Sequence, residues 1–180
     1  MDHFEAKELL NTFEIICDTR EQATPKALQR YKAFGVGYSR GTLGYGDYCG
    51  NITFGNGSKL YNASETISAQ CVVERKMNLD ELAQCFTRSR DRFQREFERA
   101  ARNGGRIFLL CENGSFEKIM RHDYRSKFNP KAFLSSIIAW NIRYDMQLIF
   151  CSQLSSGTMI KEILYRDIKD RIDKGEFDDR

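Results

Sequence analysis

Glu74 and Lys76 stand two residues apart in the run Cys71-Val72-Val73-Glu74-Arg75-Lys76. If this run is extended, side chains alternate between the two faces of a sheet, so a carboxylate and an ammonium share one face and Arg75 points to the other. Such a pair suits phosphodiester hydrolysis, in which the acid holds a divalent cation and the lysine stabilises charge on the attacking water or the scissile phosphate. The tetrapeptide Val73-Glu74-Arg75-Lys76 within this run also reads as a strand end with solvated charges, and alone it does not choose.

Two further acidic stretches precede it. Phe13-Glu14-Ile15-Ile16-Cys17 is a short apolar run ending in Asp18-Thr19-Arg20-Glu21-Gln22, which predicts a buried strand followed by a loop. In open sheets, ligands gather beyond the carboxyl ends of strands, where Asp18 and Glu21 would lie. Asp47, in Gly46-Asp47-Tyr48, is a carboxylate in a stretch otherwise poor in charge. It also fits a plain turn residue.

The elements that must position these groups follow from pattern and punctuation. Pro25 starts a helix through about Phe34 that Gly35 closes. Residues 36–68, rich in Gly, Asn, Ser and Tyr, predict strands joined by turns, with a hairpin at Asn56-Gly57. Gly35, Gly37 and Gly41 fall short of a dinucleotide fingerprint, because position 40 is Arg and no helical pattern follows. Asn78 with Glu81 makes a capping-box-like start, and Leu79, Leu82, Phe86, Phe93, Phe97 and Ala100 predict one unbroken amphipathic helix ending at Asn103-Gly104-Gly105. On its outer side Arg88, Arg92, Arg95, Arg99 and Arg102 recur at spacings of four and three. They read either as a phosphate-tracking stripe or as a solvated face diluted by Asp91, Glu96 and Glu98.

Arg106 to Cys111 predicts a strand, Pro130 to about Tyr144 a helix, Gln147 to Cys151 a strand and Ser155 to about Asp173 a terminal helix, an α/β arrangement. The helix around Ile137 is apolar almost all round, which fits either burial between the sheet and the terminal helix or contact with a second subunit.

Composition sets the outer bounds. A chain of 180 residues with 41% hydrophobic content is expected to make one folded domain, residues 1–180. Its longest apolar run, near 132–140, is far short of the ~20 residues of a membrane span, and MDHFEAKELL has no signal-peptide pattern. Six cysteines without a CxxC pair read as reduced and structural, placing the protein in a reducing intracellular compartment, cytoplasm or nucleus, and making a zinc site improbable. A formal charge of +3 does not by itself announce a nucleic-acid partner.

Taken in order, Asp18-Thr19-Arg20-Glu21, Gly46-Asp47-Tyr48 and Glu74-Arg75-Lys76 with Asp80 resemble the XPF-type structure-specific endonuclease family. Its motifs are D-x-R-E, G-D-Y and E-R-K-x-x-x-D, and the likeness extends from about Phe13 to Asp173. The resemblance implies a restriction-endonuclease-like core, a central mixed sheet flanked by helices, and Mg²⁺-dependent cutting of branched DNA (flap, fork or junction), with Mn²⁺ able to substitute. It implies Asp47 and Glu74 as central metal ligands, with Asp18 a third and the Arg75 carbonyl adding an oxygen, and Asp18 and Glu21 completing an acidic pocket. Lys76 would position or activate water, Arg20 and Arg75 would contact phosphate or hold the carboxylates, and Asp80 would brace an arginine. Arg88, Arg92, Arg95 and Arg99 become the expected DNA-binding residues.

Relatives often carry helix-hairpin-helix units that grip DNA and dimerise. This sequence reaches Arg180 without them, so a homodimer, a separate DNA-binding domain or a partner protein is expected to supply affinity. The interval from Asp47 to Glu74 is also longer than in compact relatives, because of the Gly/Asn/Ser-rich stretch at 50–68. Two other readings stay open: a catalytically silent DNA-binding or scaffold subunit, and a Holliday-junction resolvase.

Overall fold

The computed structural model describes residues 1–179. In chain order its elements are α1 (His3–Asn11), β1 (Glu14–Asp18), α2 (Pro25–Lys32), β2 (Gly37–Leu43), β3 (Tyr48–Asn51), β4 (Thr66–Ile67), β5 (Cys71–Lys76), α3 (Leu79–Phe86), α4 (Arg90–Arg102), β6 (Arg106–Glu112), α5 (Phe116–Met120), α6 (Pro130–Tyr144), β7 (Gln147–Cys151) and α7 (Ser156–Asp173). The seven strands form one sheet in the order β4-β2-β1-β3-β5-β6-β7. It is mixed: β3 runs antiparallel to both β1 and β5, and the other pairings are parallel.

Strand alternation sorts the core into two layers. Ile16, Cys49, Val72, Ile107, Leu109 and Cys111 project to one side and pack with Leu79, Leu82, Phe86, Phe93, Phe97, Phe133, Ile137 and Trp140. Ile15, Cys17, Tyr48, Cys71, Val73 and Leu110 project to the other and meet Leu9, Ala27, Tyr31, Ile160, Leu164 and Ile168. Helices α3, α4 and α6 therefore cover one face, and α1, α2 and α7 the other. Each strand must satisfy both layers at once, so a one-residue register slip would exchange them.

The expected long helix after Asn78 is two helices. Thr87 sits at φ −119°, ψ −105°, outside the helical region, its hydroxyl donates to the Ala83 carbonyl at 2.9 Å, and the Ser89 amide donates to Gln84 O at 3.0 Å. Thr and Ser compete for backbone bonds in this way and are poor helix-interior residues. The break lets Phe86 and Phe93, on different helices, both reach Trp140, at 5.2 and 5.1 Å between ring centroids.

Helix α6 is not sandwiched between the sheet and α7, which lies across the opposite face. Its inner side (Phe133, Ile137, Trp140) packs with residues of α3 and α4, and Ile138 and Ile142 remain 46% and 81% exposed. The Asn56-Gly57 turn closes as expected, with the Phe54 amide donating to Ser58 O and the Gly57 amide to Phe54 O, both at 2.8 Å. No helix among the described residues is long and apolar enough to cross a membrane. All six cysteines are free thiols, and burial pushes Cys17 and Cys85 up to about 12, which leaves them inert.

Candidate active site

The three acidic motifs converge because of where β3 begins. Antiparallel pairing brings its entrance to the carboxyl ends of β1 and β5: the Asp18 amide donates to Asp47 O at 2.8 Å and the Asp47 amide to Val73 O at 2.9 Å. Gly46, at φ +74°, makes the corner, and a Cβ there would stand 2.7 Å from the Val72 side chain. Only glycine combines that backbone geometry with that approach. From this corner the Asp47 carboxylate accepts the Arg75 amide at 2.7 Å.

Glu74 and Lys76 share a face as alternation requires, and the Lys76 ammonium donates to Glu74 Oε1. Both are buried, and the ammonium lies 5.5 Å from the centroid of the Phe93 ring. They border a cavity of ≈ 220 Å³ whose wall also includes Glu81, Gln84, Cys85, Arg92 and Glu96. A larger cavity, ≈ 430 Å³, is lined by Leu9, Thr12, Phe54 and Phe177 among others and touches none of the motif residues.

Burial raises Asp47, Lys76 pulls it back, and the charges of Glu21 and Glu96 raise it further. Burial also raises Glu74, with Asp47 and Glu96 adding to the effect and Lys76 opposing it. For Lys76 burial acts against the charged form, but Glu74 outweighs it and holds the ammonium protonated. Carboxylates crowd a single ammonium here, and the Asp47–Glu74 pair takes up protons more readily than acids in water do.

The remaining site expectations are distributed differently. Asp18 lies on the Glu74 face but is committed elsewhere: it accepts from Arg20 Nε at 2.7 Å and from a terminal Arg20 nitrogen at 2.8 Å. It also takes the amides of Arg20 at 2.7 Å and Leu43 at 2.8 Å. Burial works against its charge, but these partners overcome it and hold the carboxyl below the usual range. Asp18 thus fixes Arg20, whose side chain is 56% exposed, and is not gathered with Asp47 and Glu74 into a common ligand set.

Glu21 belongs to a network under the opposite face. It accepts from Tyr48 at 2.8 Å and from Arg30 at 3.4 Å, and lies 4.0 Å from Arg75. Arg30 and Arg75 in turn reach Glu112 at 3.3 and 3.4 Å. Arg75 projects to this side, as alternation predicts. Asp80 does brace an arginine, but away from the cavity: it accepts the amides of Arg125 and Ser126 at 2.8 and 2.7 Å and the Arg125 guanidinium at 3.3 Å. Of the arginine stripe, Arg92, Arg95 and Arg99 are exposed along α4, whereas Arg88 falls in the break between α3 and α4. Arg92 reaches the cavity wall, and Arg99 donates to Gly44 O at 3.1 Å. The hairpin at 53–59 follows the end of β3, where Asn51 pairs with Glu14 at the start of β1, the opposite end of the sheet from Asp47.

Among the described residues no three His, Cys, Asp or Glu side chains form a group that could enclose a metal ion. Asp47 and Glu74 nevertheless fit the divalent ion the motifs imply, since Mg²⁺ is commonly held by one or two carboxylates while water and substrate phosphate supply its other oxygens. Oxygen donors with no thiolate or imidazole favour Mg²⁺ or Mn²⁺ over softer metals.

Residues 17–162 match the family model described as ERCC4 domain. The chain belongs to the ERCC4 domain family. Its fold is that of XPF from Aeropyrum pernix, with a TM-score of 0.59 at 17% identity, the alignment covering 91% of this chain and 69% of that one. The same protein solved as a complex with DNA gives 0.58 at 18% identity, covering 88% and 66%. No curated protein matches. The mixed seven-stranded sheet with helices on both faces is thus the XPF nuclease fold, and the ERCC4 match includes all three acidic motifs.

Three contributors had no motif to announce them. Arg30 and Glu112 are separated by 82 residues; Arg30 fell inside an expected helix and Glu112 just past the expected end of a strand. Glu96 read as a charge diluting the arginine stripe. No local signal distinguishes them, because their partners arrive only through the sheet order.

Proposed function

We propose that this chain is a metal-dependent, structure-selective DNA endonuclease that hydrolyses phosphodiester bonds in branched DNA such as flaps, forks or junctions. The observation that carries this reading is the crowding of Asp47 and Glu74 around the single ammonium of Lys76, beside a cavity that Glu74 and Lys76 line, within a chain of the ERCC4 domain family. The likeness to XPF solved with DNA supports the substrate class.

Asp47 and Glu74 would hold Mg²⁺, with Mn²⁺ able to replace it. A bound divalent ion supplies charge stabilisation at the phosphodiester and favours the attacking water. The chain's own residues do the rest. Lys76, kept protonated by Glu74, offers further N–H donors to a phosphate oxygen or to the water, so that negative charge developing during displacement meets a fixed cation. The Arg75 amide orients Asp47. Arg20, anchored by Asp18, and the exposed Arg92, Arg95 and Arg99 would take backbone phosphates, a charge-based grip that aligns the branch without reading sequence. A second copy packed on Ile138 and Ile142 of α6 would cover the apolar face left outside and double this grip. The buried free thiols support work in a reducing compartment.

Purified protein incubated with Mg²⁺ and labelled flap, fork and four-way junction is expected to cut at least one of them, and Asp47→Ala to cut none. If wild type and Asp47→Ala both bind branched DNA and neither cuts, the chain is a silent binding subunit. Paired, symmetric cuts confined to the four-way junction would instead identify a resolvase.

A further inference from the structure

Helix α4 carries arginines at 90, 92, 95, 99 and 102, and a glutamate among them would ordinarily pair along the helix. Glu98 does so, accepting from Gln94 at 2.8 Å and lying 3.9 Å from Arg102. Glu96 does not, although Arg92 and Arg99 stand four before and three after it. Its Oε1 instead accepts the backbone amide of Gly46 at 3.0 Å, a partner 50 residues away. That amide opens the left-handed corner from which Asp47 projects. The same side chain lines the cavity with Glu74 and Lys76.

We infer that Glu96 is a positioning residue for Asp47: by accepting the Gly46 amide it holds the Gly46–Asp47 corner against α4 and so sets the Asp47 carboxylate toward the site. The corner is fixed on its other sides. Val72 packs against Gly46, Asp47 exchanges backbone bonds with Asp18 and Val73, and the Arg75 amide takes one carboxylate oxygen. Glu96 ties the corner itself to the helix that bears the exposed arginines, beside the bond from Arg99 to the Gly44 carbonyl. An ionised acceptor on a backbone amide is among the stronger hydrogen bonds, and without it a part-buried amide loses its partner. The arrangement also couples the phosphate-facing helix to the acid that faces the scissile bond. Partners that orient a metal's ligands typically change its affinity by 10- to 100-fold when removed.

This inference builds on the proposed nuclease reading, and three substitutions separate position from charge. Glu96→Gln keeps an acceptor of the same length and loses the charge; Glu96→Asp keeps the charge and is one methylene too short; Glu96→Ala loses both. Gly46 amide hydrogen exchange, read by NMR on metal-free protein, is expected to be near wild type in Glu96→Gln and faster by about tenfold in Glu96→Asp and Glu96→Ala. Mn²⁺ affinity, read by electron paramagnetic resonance, should follow the same order: within about threefold for Gln, and weaker by at least about tenfold for Asp and Ala.

The positioning role is overturned if Asp behaves as wild type while Gln behaves as Ala, which would make Glu96 a charge or a direct ligand. It is equally overturned if Gly46 exchange is unchanged in all three. Should Ala lower the melting temperature, the contrast between Gln and Asp carries the decision. If wild type binds Mn²⁺ no better than Asp47→Ala, the nuclease reading fails, while Gly46 exchange still decides the role of Glu96.

Discussion

Consecutive residues of β5 serve two regions built on opposite principles. On the Glu74–Lys76 face, Asp47, Glu74 and Glu96 gather around one buried ammonium beside a cavity. On the Arg75 face, two carboxylates, Glu21 and Glu112, meet two guanidinium groups, Arg30 and Arg75, with Tyr48 donating into the same group. The second set is balanced, and it lines a cavity of ≈ 360 Å³ together with the cationic Arg20 and Lys26. The first is short of positive charge. Burying a balanced set ties together the ends of β1, β5, β6 and helix α2, whereas burying an unbalanced one leaves free energy to be recovered when a cation binds. One face holds the strand ends in place, and the other is left for chemistry.

The comparison breaks most sharply in activity. Asp47→Ala or Glu74→Ala is expected to lower Mg²⁺-dependent cleavage by on the order of 10³-fold or more, about 4 kcal/mol of transition-state stabilisation, with the fold intact by circular dichroism. The reverse holds for Glu112→Ala. It leaves Glu21 as the one carboxylate facing both Arg30 and Arg75 and should cost about 3–5 kcal/mol of stability in urea unfolding, because an uncompensated buried charge remains. Equal loss of stability from Glu112→Ala and Glu74→Ala would erase the distinction between the two faces.

A third effect is smaller and has a defined sign. Asp47 and Glu74 are raised above their ordinary values, chiefly by burial, so over that interval the metal-free native state binds more protons than the unfolded chain. Stability therefore falls as pH rises from the ordinary carboxylate range through the raised values, and levels off above them. We expect metal-free protein to lose on the order of 1–2 kcal/mol between about pH 5 and about pH 8.5, and Asp47→Asn to remove much of that slope; thermal melts across this range measure it.

The smallest effect concerns the rim. Arg92→Ala, Arg95→Ala or Arg99→Ala should each weaken DNA binding uniformly across sequences and reduce the slope of log affinity against log salt by about one. Arg88→Ala, off the helix line, should do so less. Equal slopes for all four would restore the continuous stripe expected from spacing alone.

Much of this frame was legible in the chain. Pro130 and Gln147 to Cys151 marked α6 and β7 because proline and short apolar runs act locally, and alternation alone sent Arg75 away from Glu74. The break at Thr87 was not read, since the apolar stripe continues across it and only the packing of Phe86 and Phe93 around one tryptophan requires a turn. Helix α1 has a local signal, Asp2 with Glu5 three residues on, which forms a full capping box. For the site, the motifs carried Asp47, Glu74 and Lys76. They did not carry Arg30, Glu96 or Glu112, whose partners lie 9 to 82 residues away. Motif spacing also left open that Asp18 would be taken up by Arg20.

The central claim is that the unbalanced face takes a divalent cation and the balanced face does not. Anomalous scattering from crystals soaked in Mn²⁺ tests it most directly. The account predicts one dominant peak between the Asp47 and Glu74 carboxylates and none beside Glu21 and Glu112; a peak beside Glu21 and Glu112, or no peak between Asp47 and Glu74 at saturating Mn²⁺, would contradict it.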